Sequence, residues 1–421
     1  MYLAMPLVLL RIAWRGVGNR AYWSRVAERF GLGPPLGGPG GAVETLWLHA
    51  VSVGEVQAAL PLVRALRARR PQVRMVMTTT TPTGMERVRH AFGSEVIHRY
   101  APYDLPGATR RFLDRVEPRL AIFVETEIWP NLVHQCHRRA IPVLFANARL
   151  SERSAAGYRR LGGLMRQTLT RVAAIAAQSE EDARRLREIG APFERVVVTG
   201  STKFDVAVSA STREAGQVLR RQLGVERSVW IAASTHEGEE EQVLEAFAIV
   251  RRAVPACLLV LVPRHPERFA RVAALCRRQG FQVSLRSGAS EGSRDVDVFV
   301  GDTMGELPVF YAASDVAFVG GSLVDVGGHN MLEPAALGVP VLLGPSLRNF
   351  ADISDRLCRE RAAEVVEGVE SLALAVIRHL GDANLRHRTG ECGRRFVERN
   401  RGAGERVLAL VERSLAAAPS R

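Results

Sequence analysis

The sequence predicts an α/β protein built from two successive doubly wound domains. Three observations carry that prediction. Short apolar runs alternate with amphipathic stretches along most of the chain, the mark of strands joined by crossover helices in a parallel sheet. The alternation pauses once, in a polar segment between Asp205 and Arg227, and then restarts. Finally, 421 residues at 47% hydrophobic content exceed one core, since single cores stop growing at roughly 250 residues. The implied divisions are an N-terminal segment 1–30, a Rossmann-like domain 42–205, a second one 228–385, and a helical stretch 386–421 packing back across both.

The N-terminal segment opens with the apolar run Tyr2–Ile12, followed by Trp14, Tyr22 and Trp23 among Arg11, Arg15, Arg20, Arg25 and Arg29. Crossing a bilayer takes about 20 apolar residues, and no small-residue cleavage site follows. The segment therefore reads as a membrane-associating helix lying on the surface, with interfacial aromatics and basic flanks. The competing reading is a helix packed on the protein itself. A Gly/Pro-rich linker, Gly31 to Gly41, comes next.

First-domain strands are expected at Thr45–Ala50, Val73–Thr78, Leu120–Val124, Val143–Asn147, Ala174–Ala177 and Val196–Thr199, with helices such as Glu55–Arg69 and Glu180–Ile189 between them. The second domain should contain Val229–Ala233, Leu258–Val262, Val296–Val300, Val316–Val319 and Val339–Leu343. Asn384–Leu415 reads as helix.

The formal charge of +13 comes almost wholly from dispersed arginine. An anionic partner follows, either an acidic membrane surface or a phosphorylated substrate; without a dense basic tail, nucleic acid is not expected. Five cysteines, odd in number and without a C-x-x-C pair, suggest neither zinc nor a disulfide framework and fit a reducing cytoplasmic setting.

In doubly wound sheets ligands sit beyond the carboxyl ends of the strands, and the candidate residues collect there. Glu55 follows the first strand at a tight turn through Gly54, placed either to stabilise a helix N-terminus or to act as a general base. Glu125 and Glu127 leave the strand Leu120–Val124 together, two positions apart, so that they can share a face. Lys203 lies in TGSTKFD after the last strand of this half and is a candidate catalytic cation.

In the second half, Pro263, Arg264 and His265 end a strand where arginine can grip a phosphate bidentately. GDTMGELP, with Met304, Gly305 and Glu306, opens a helix near Gly305 whose N–H groups can meet a phosphate or a base edge. A loop containing Gly320, Gly321, Gly327 and Gly328 lets a ligand approach the backbone. It leads through Asn330, Met331 and Leu332 to Glu333, a carboxylate suited to ribose hydroxyls. The acidic run Glu237–Glu241 reads as a solvated first helical turn without chemistry. Asp295 and Asp297 spell D-x-D but enter a strand instead of ending one, so no metal is assigned to them. Ser52 lacks a G-x-S-x-G context, which argues against a hydrolase.

Together these segments resemble the 3-deoxy-D-manno-octulosonic acid (Kdo) transferases of lipopolysaccharide and lipid A biosynthesis. HAVSVGE, TTTTPTG, YAPYDLP, ETEIWPNL, NARLSERS, TGSTKFD, STHEGEEE, LVPRHPERF, GDTMGELP and GGSLVDVGGHNMLEPAA are similar to that family's blocks, in its order, from Tyr22 to about Asn349. The resemblance implies a two-domain GT-B glycosyltransferase fold and an inverting transfer of Kdo from CMP-Kdo to the lipid A precursor. It places Glu55 as general base, Glu125 and Lys203 at transition-state-stabilising positions, and Pro263–Arg264, Met304–Glu306 and Asn330–Glu333 at CMP contacts. It implies no metal or other cofactor, and a place on the cytoplasmic side of the inner membrane. The apolar segment is short for the family, which favours lying on that membrane over crossing it. The rival enzyme is a GT-B transferase or epimerase using a UDP-sugar; the rival from another class is a nucleotide-sensing scaffold, which would need neither Glu55 nor Lys203.

Overall fold

A computed structural model describes residues 23–36, 43–206, 208–288 and 296–418. The chain divides into two compact units, Met1–Asp205 together with Arg401–Arg421, and Val206–Asn400.

The first unit is built on β1 (Thr45–His49), β2 (Arg74–Thr79), β3 (Ile97–Tyr100), β4 (Leu120–Val124), β5 (Val143–Ala148), β6 (Ala174–Ala177) and β7 (Val196–Val198). They form one sheet in the order β3-β2-β1-β4-β5-β6-β7, parallel throughout. Strand alternation feeds both faces. Leu46 and Leu48 join one core with Ile122 and Leu144, while Trp47 joins another with Phe123 and Phe145. Helices covering both faces explain why these strands read as unbroken apolar runs.

The second unit repeats the plan with β8 (Val229–Thr235), β9 (Leu258–Pro263), β10 (Val283–Leu285), β11 (Val298–Val300), β12 (Val316–Val319), β13 (Val341–Leu343) and β14 (Ala363–Val365). Their order is β10-β11-β9-β8-β12-β13-β14, again parallel. Two parallel seven-stranded sheets of this winding agree with a GT-B-like fold class. In each the strand order reverses once, at β1/β4 and at β8/β12, and ligand crevices form at such switch points.

Three strands escaped the sequence reading: β3, β10 and β14. All are sheet edges. Edge strands are short and carry polar side chains, as IHRY and AEV do here, so their apolar signal is weak.

The helical stretch near the C-terminus is interrupted. Ala383–Asn400 belongs to the second unit and packs on the helix Leu332–Leu337. The chain then breaks at Gly402, in the left-handed region at φ 88°. The next helix, Ala403–Ala416, adds Val407, Leu408, Leu410, Val411 and Leu415 to the core of Leu46 and Leu48. Asp205 fastens this return, its carboxylate accepting the N–H groups of Gly402 and Gly404, both at 2.6 Å.

The expected apolar anchor, through Tyr22, lies outside the described residues. Two of its expected basic flanks, Arg25 and Arg29, are engaged by the protein itself. Arg29 is buried, donates to the Thr80 carbonyl at 3.0 Å and covers the Tyr100 ring at 4.3 Å. Arg25 donates to the His98 carbonyl at 2.8 Å, and Glu28 accepts the Tyr100 N–H at 2.9 Å. The turn Val26–Phe30 is thus docked on the edge of the first sheet by partners the sequence reading could not see. Among the described residues, no helix is long and apolar enough to cross a membrane.

Candidate active site

In the first unit the β1/β4 switch point collects Glu55, Glu125, Glu127 and Lys203. Ser52 caps the helix Val53–Arg69, its Oγ accepting the Glu55 N–H at 3.4 Å. The Glu55 carboxylate folds back, accepting the Val51 N–H at 2.6 Å and the Ser52 hydroxyl at 2.9 Å. It is only 7% exposed. Burial lifts its pKa to about 7, with the charges of Glu127 and Glu125 pushing the same way and the two hydrogen bonds opposing. The carboxylate sits in the first turn of the helix and closes its cap, and its raised pKa lies in the range that suits a proton acceptor near neutral pH.

Glu125 sits at the end of β4 with φ 61°, a left-handed backbone for a residue with a side chain. Asn147 at β5 repeats this at φ 54°. Such conformations cost of order 1–3 kcal/mol and gather at functional sites. Asn147 is buried, and its Oδ1 accepts the Thr202 N–H at 3.1 Å, which ties β5 to the turn carrying Lys203. Burial lowers the Lys203 pKa while the Glu125 charge raises it, so this pair is electrostatically linked. Burial also raises Glu127, whose carboxylate accepts from Trp129 Nε1 at 2.7 Å.

Lys203 is the chain's only lysine among 57 basic residues. A compact ammonium group under cover differs from a guanidinium in size, hydration and ease of deprotonation, and Lys203 is buried enough for its pKa to be lowered.

In the second unit the residues after β8, β9 and β12 converge, while those after β11 meet the turn that follows β10. Glu239 and Glu240 are fully buried, which corrects the reading of Glu237–Glu241 as a solvated turn. Glu239 accepts the N–H groups of Gly321 (2.8 Å), Ser322 (3.1 Å), Leu323 (2.9 Å) and His236 (3.2 Å). Glu240 pairs with Arg268 through two bonds of 2.6 and 2.9 Å and accepts the Thr235 hydroxyl at 2.9 Å. One carboxylate thus folds the glycine loop and the other anchors the turn beyond β9.

The glycines serve that fold first. A Cβ on Gly320 would lie 2.7 Å from Glu239 Oε2, and one on Gly327 would lie 2.6 Å from the Arg348 side chain. The close approach inferred from sequence is made here by the protein's own atoms.

Arg264 is exposed at the end of β9, and its charge reaches Glu333, His236 and His329. Glu333 accepts from Asn330 Nδ2 at 2.9 Å, and burial raises its pKa. Met331 and Leu332 have fully buried side chains. Glu306 is held by Arg286 at 2.8 Å and by the Thr303 hydroxyl, and Arg286 keeps its pKa low. Met304 is exposed, and the helix beyond it begins at Leu307 instead of Gly305. Pro263 closes β9.

Asp297 is occupied structurally, accepting the Gln282 N–H at 2.9 Å and facing Arg251 at 3.0 Å; Asp295 lies outside the described residues. A cavity of about 400 Å³ opens elsewhere in this unit, beside Asp315 and Val339, which precede β12 and β13. That is the amino edge of the sheet, away from the switch point where ligand crevices form.

Residues 24–206 match the sequence profile of "3-Deoxy-D-manno-octulosonic-acid transferase (kdotransferase)". The 3-deoxy-D-manno-octulosonic acid transferase of Haemophilus influenzae is 41% identical, over 97% of this chain and 96% of its own. The chain belongs to the Kdo transferase family. The homologous transferase of Bordetella pertussis is 38% identical over 97% of this chain and 96% of its own. Among solved structures, the UDP-GlcNAc 2-epimerase of Neisseria meningitidis bound to UDP-GlcNAc aligns with a TM-score of 0.57 at 14% identity, covering 88% of this chain and 100% of that one. That likeness concerns the fold alone. The sequence relationship settles the enzyme class: this protein is a glycosyltransferase.

Proposed function

We propose that this Kdo transferase moves Kdo from CMP-Kdo to the lipid A precursor by an inverting, metal-independent displacement, at the cytoplasmic face of the inner membrane. The observation that carries the reading is Glu55, a buried carboxylate with a pKa near 7 beside Glu125 and Lys203. Glu55 takes the proton of the acceptor hydroxyl as that oxygen attacks the anomeric carbon. The bond from that carbon to the phosphate oxygen breaks, and its electron pair leaves with CMP. Lys203 offers positive charge where negative charge develops, and Glu125 keeps it protonated against its burial.

The second unit supplies the donor contacts, with Arg264 for the phosphate and Glu333 for the ribose hydroxyls, the latter oriented by Asn330. A monophosphate leaving group needs one cationic clamp, whereas a diphosphate needs more cation or a metal. Dispersed arginine and the N-terminal segment suit an acceptor that is an anionic glycolipid in a membrane.

A thermal-shift panel of CMP, UMP, UDP and GDP tests the donor. CMP should stabilise most, and Glu333→Ala should weaken CMP by about 1.5–3 kcal/mol through loss of charge-assisted hydrogen bonds. Transfer should proceed undiminished in EDTA. Stabilisation by UDP with no response to CMP would replace this reading with the UDP-sugar alternative.

A further inference from the structure

His236, at the end of β8, and His329, in the glycine loop after β12, meet nitrogen to nitrogen. Their Nε2 atoms are 2.7 Å apart, the rings lie within 6° of one plane, and the centroids are 5.0 Å apart. The rings therefore join end to end instead of stacking face over face. Two lone pairs cannot face each other at that distance, so one Nε2 carries a proton and donates it to the other. In the neutral pair the donating ring keeps a lone pair on Nδ1, and the accepting ring carries N–H there. One added proton converts that lone pair to N–H, and both Nδ1 atoms become donors.

The groups around the pair are mainly cationic. His265 lies 5.4 Å from the His236 ring, centroid to centroid. Arg264 and His265 act on both imidazoles and Arg268 on His236, although Arg268 is already paired with Glu240, while Glu239 accepts the His236 backbone N–H. The Glu239 carboxylate is consumed by four backbone N–H groups. Burial comes first, and with these charges it holds His329 down to about 4 and His236 below its usual range. The pair is thus neutral, with the positive charge of Arg264 beside it.

We propose that His236 and His329 are part of the phosphate site, sharing a proton when empty and taking up one more from solvent when a phosphate docks against Arg264. This rests on the reading that the second unit holds a nucleoside monophosphate. An anion offsets the Arg264 charge and adds an attraction of its own, and an opposite charge close by moves a titration midpoint by roughly one to three pH units. The effect grows along the reaction. The phosphate carries one negative charge as a diester in the donor and moves toward two as the leaving group, so the protonated pair is favoured most by departing CMP. His236 and His329 are then positioning residues that strengthen as the bond breaks.

Isothermal titration of the full chain with CMP between pH 6 and 7, in buffers of different ionisation enthalpy, counts the protons. Wild-type protein should take up more protons per CMP, by up to one, than His236→Gln or His329→Gln, and the excess should grow as pH falls from 7 to 6. The phosphate of CMP itself titrates at about pH 6, but equally in all three, so the difference is the readout. Cytidine, lacking the phosphate, should take up none. CMP binding with equal proton counts in all three proteins overturns the inference alone; no CMP binding to wild type overturns it together with the nucleotide reading. If a variant does not fold, ¹⁵N-imidazole titration of wild type decides, since the pair's midpoint must rise with CMP and an unmoved midpoint refutes the uptake.

Discussion

Glu55→Gln should remove activity while making the protein more stable, a combination that separates a catalytic carboxylate from a structural one. Burial holds the Glu55 pKa at about 7 against an ordinary 4.5. At ~1.4 kcal/mol per pH unit, ionising it in the folded chain costs about 3 kcal/mol more than in the unfolded one. Because the folded pKa is the higher one, this stability is fully present below about pH 4.5 and is lost as pH rises to about 7. Glutamine carries no charge at any of these values. Its carbonyl can still accept the Val51 N–H, and its amide can donate to Ser52 Oγ, the two partners of the native carboxylate. Allowing for the imperfect exchange, the variant should exceed wild type by about 1–3 kcal/mol at pH 8 and converge with it toward pH 4.5. Its transfer rate should fall by roughly 10²–10⁴, while the wild-type rate climbs through pH 7 as Glu55 ionises. Urea unfolding at pH 5 and pH 8, with kcat/KM over the same range, measures all of this. A variant less stable than wild type at pH 8, or a wild-type rate flat from pH 6 to 8, would refute the reasoning.

Lys203→Arg keeps the charge but puts a larger, planar cation in a covered position, and turnover should drop at least ~10²-fold with CMP binding unchanged; near-normal turnover in a steady-state assay would show that any cation suffices. Glu239→Ala leaves four backbone N–H groups without their acceptor, and at ~1–3 kcal/mol for a buried donor left unsatisfied it should cost several kcal/mol in denaturant and lower CMP affinity. Removing residues 1–21 should abolish sedimentation with anionic vesicles while leaving the thermal midpoint intact, whereas removing 1–29 should also lower that midpoint, because Glu28 and Arg29 are docked on the sheet. Vesicle binding by the shorter chain at physiological salt would place the membrane contact elsewhere.

Central strands were legible because burial on both faces writes itself as apolar runs: Leu120–Val124, Ala174–Ala177 and Val316–Val319 match to the residue. Three of the four edge strands were not, since IHRY, VSL and AEV are chosen partly for exposure, whereas the fourth, VVV, is apolar throughout. Glu55, Glu125 and Lys203 were legible as positions, each just past a strand. Their mutual proximity was not, because it depends on strand order, which puts β1 beside β4 although two strands separate them in the chain. The acidic run misled for a related reason. Five consecutive residues dominated by glutamate look solvated until the glycine loop, more than 80 residues on, supplies N–H groups to Glu239.

The return of the chain to the first unit after Arg401 also governs the order in which the protein can be completed during synthesis. Residues 206–400 are contiguous, so the second unit can finish folding while the ribosome still holds the C-terminal helix. The first unit cannot. Until Val407, Leu408, Leu410, Val411 and Leu415 emerge, the face of its sheet bearing Leu46 and Leu48 lacks its last cover. An apolar surface made before residue 60 therefore waits for residues 407–415, and nascent chains stalled before Ala403 should be the ones that chaperones hold.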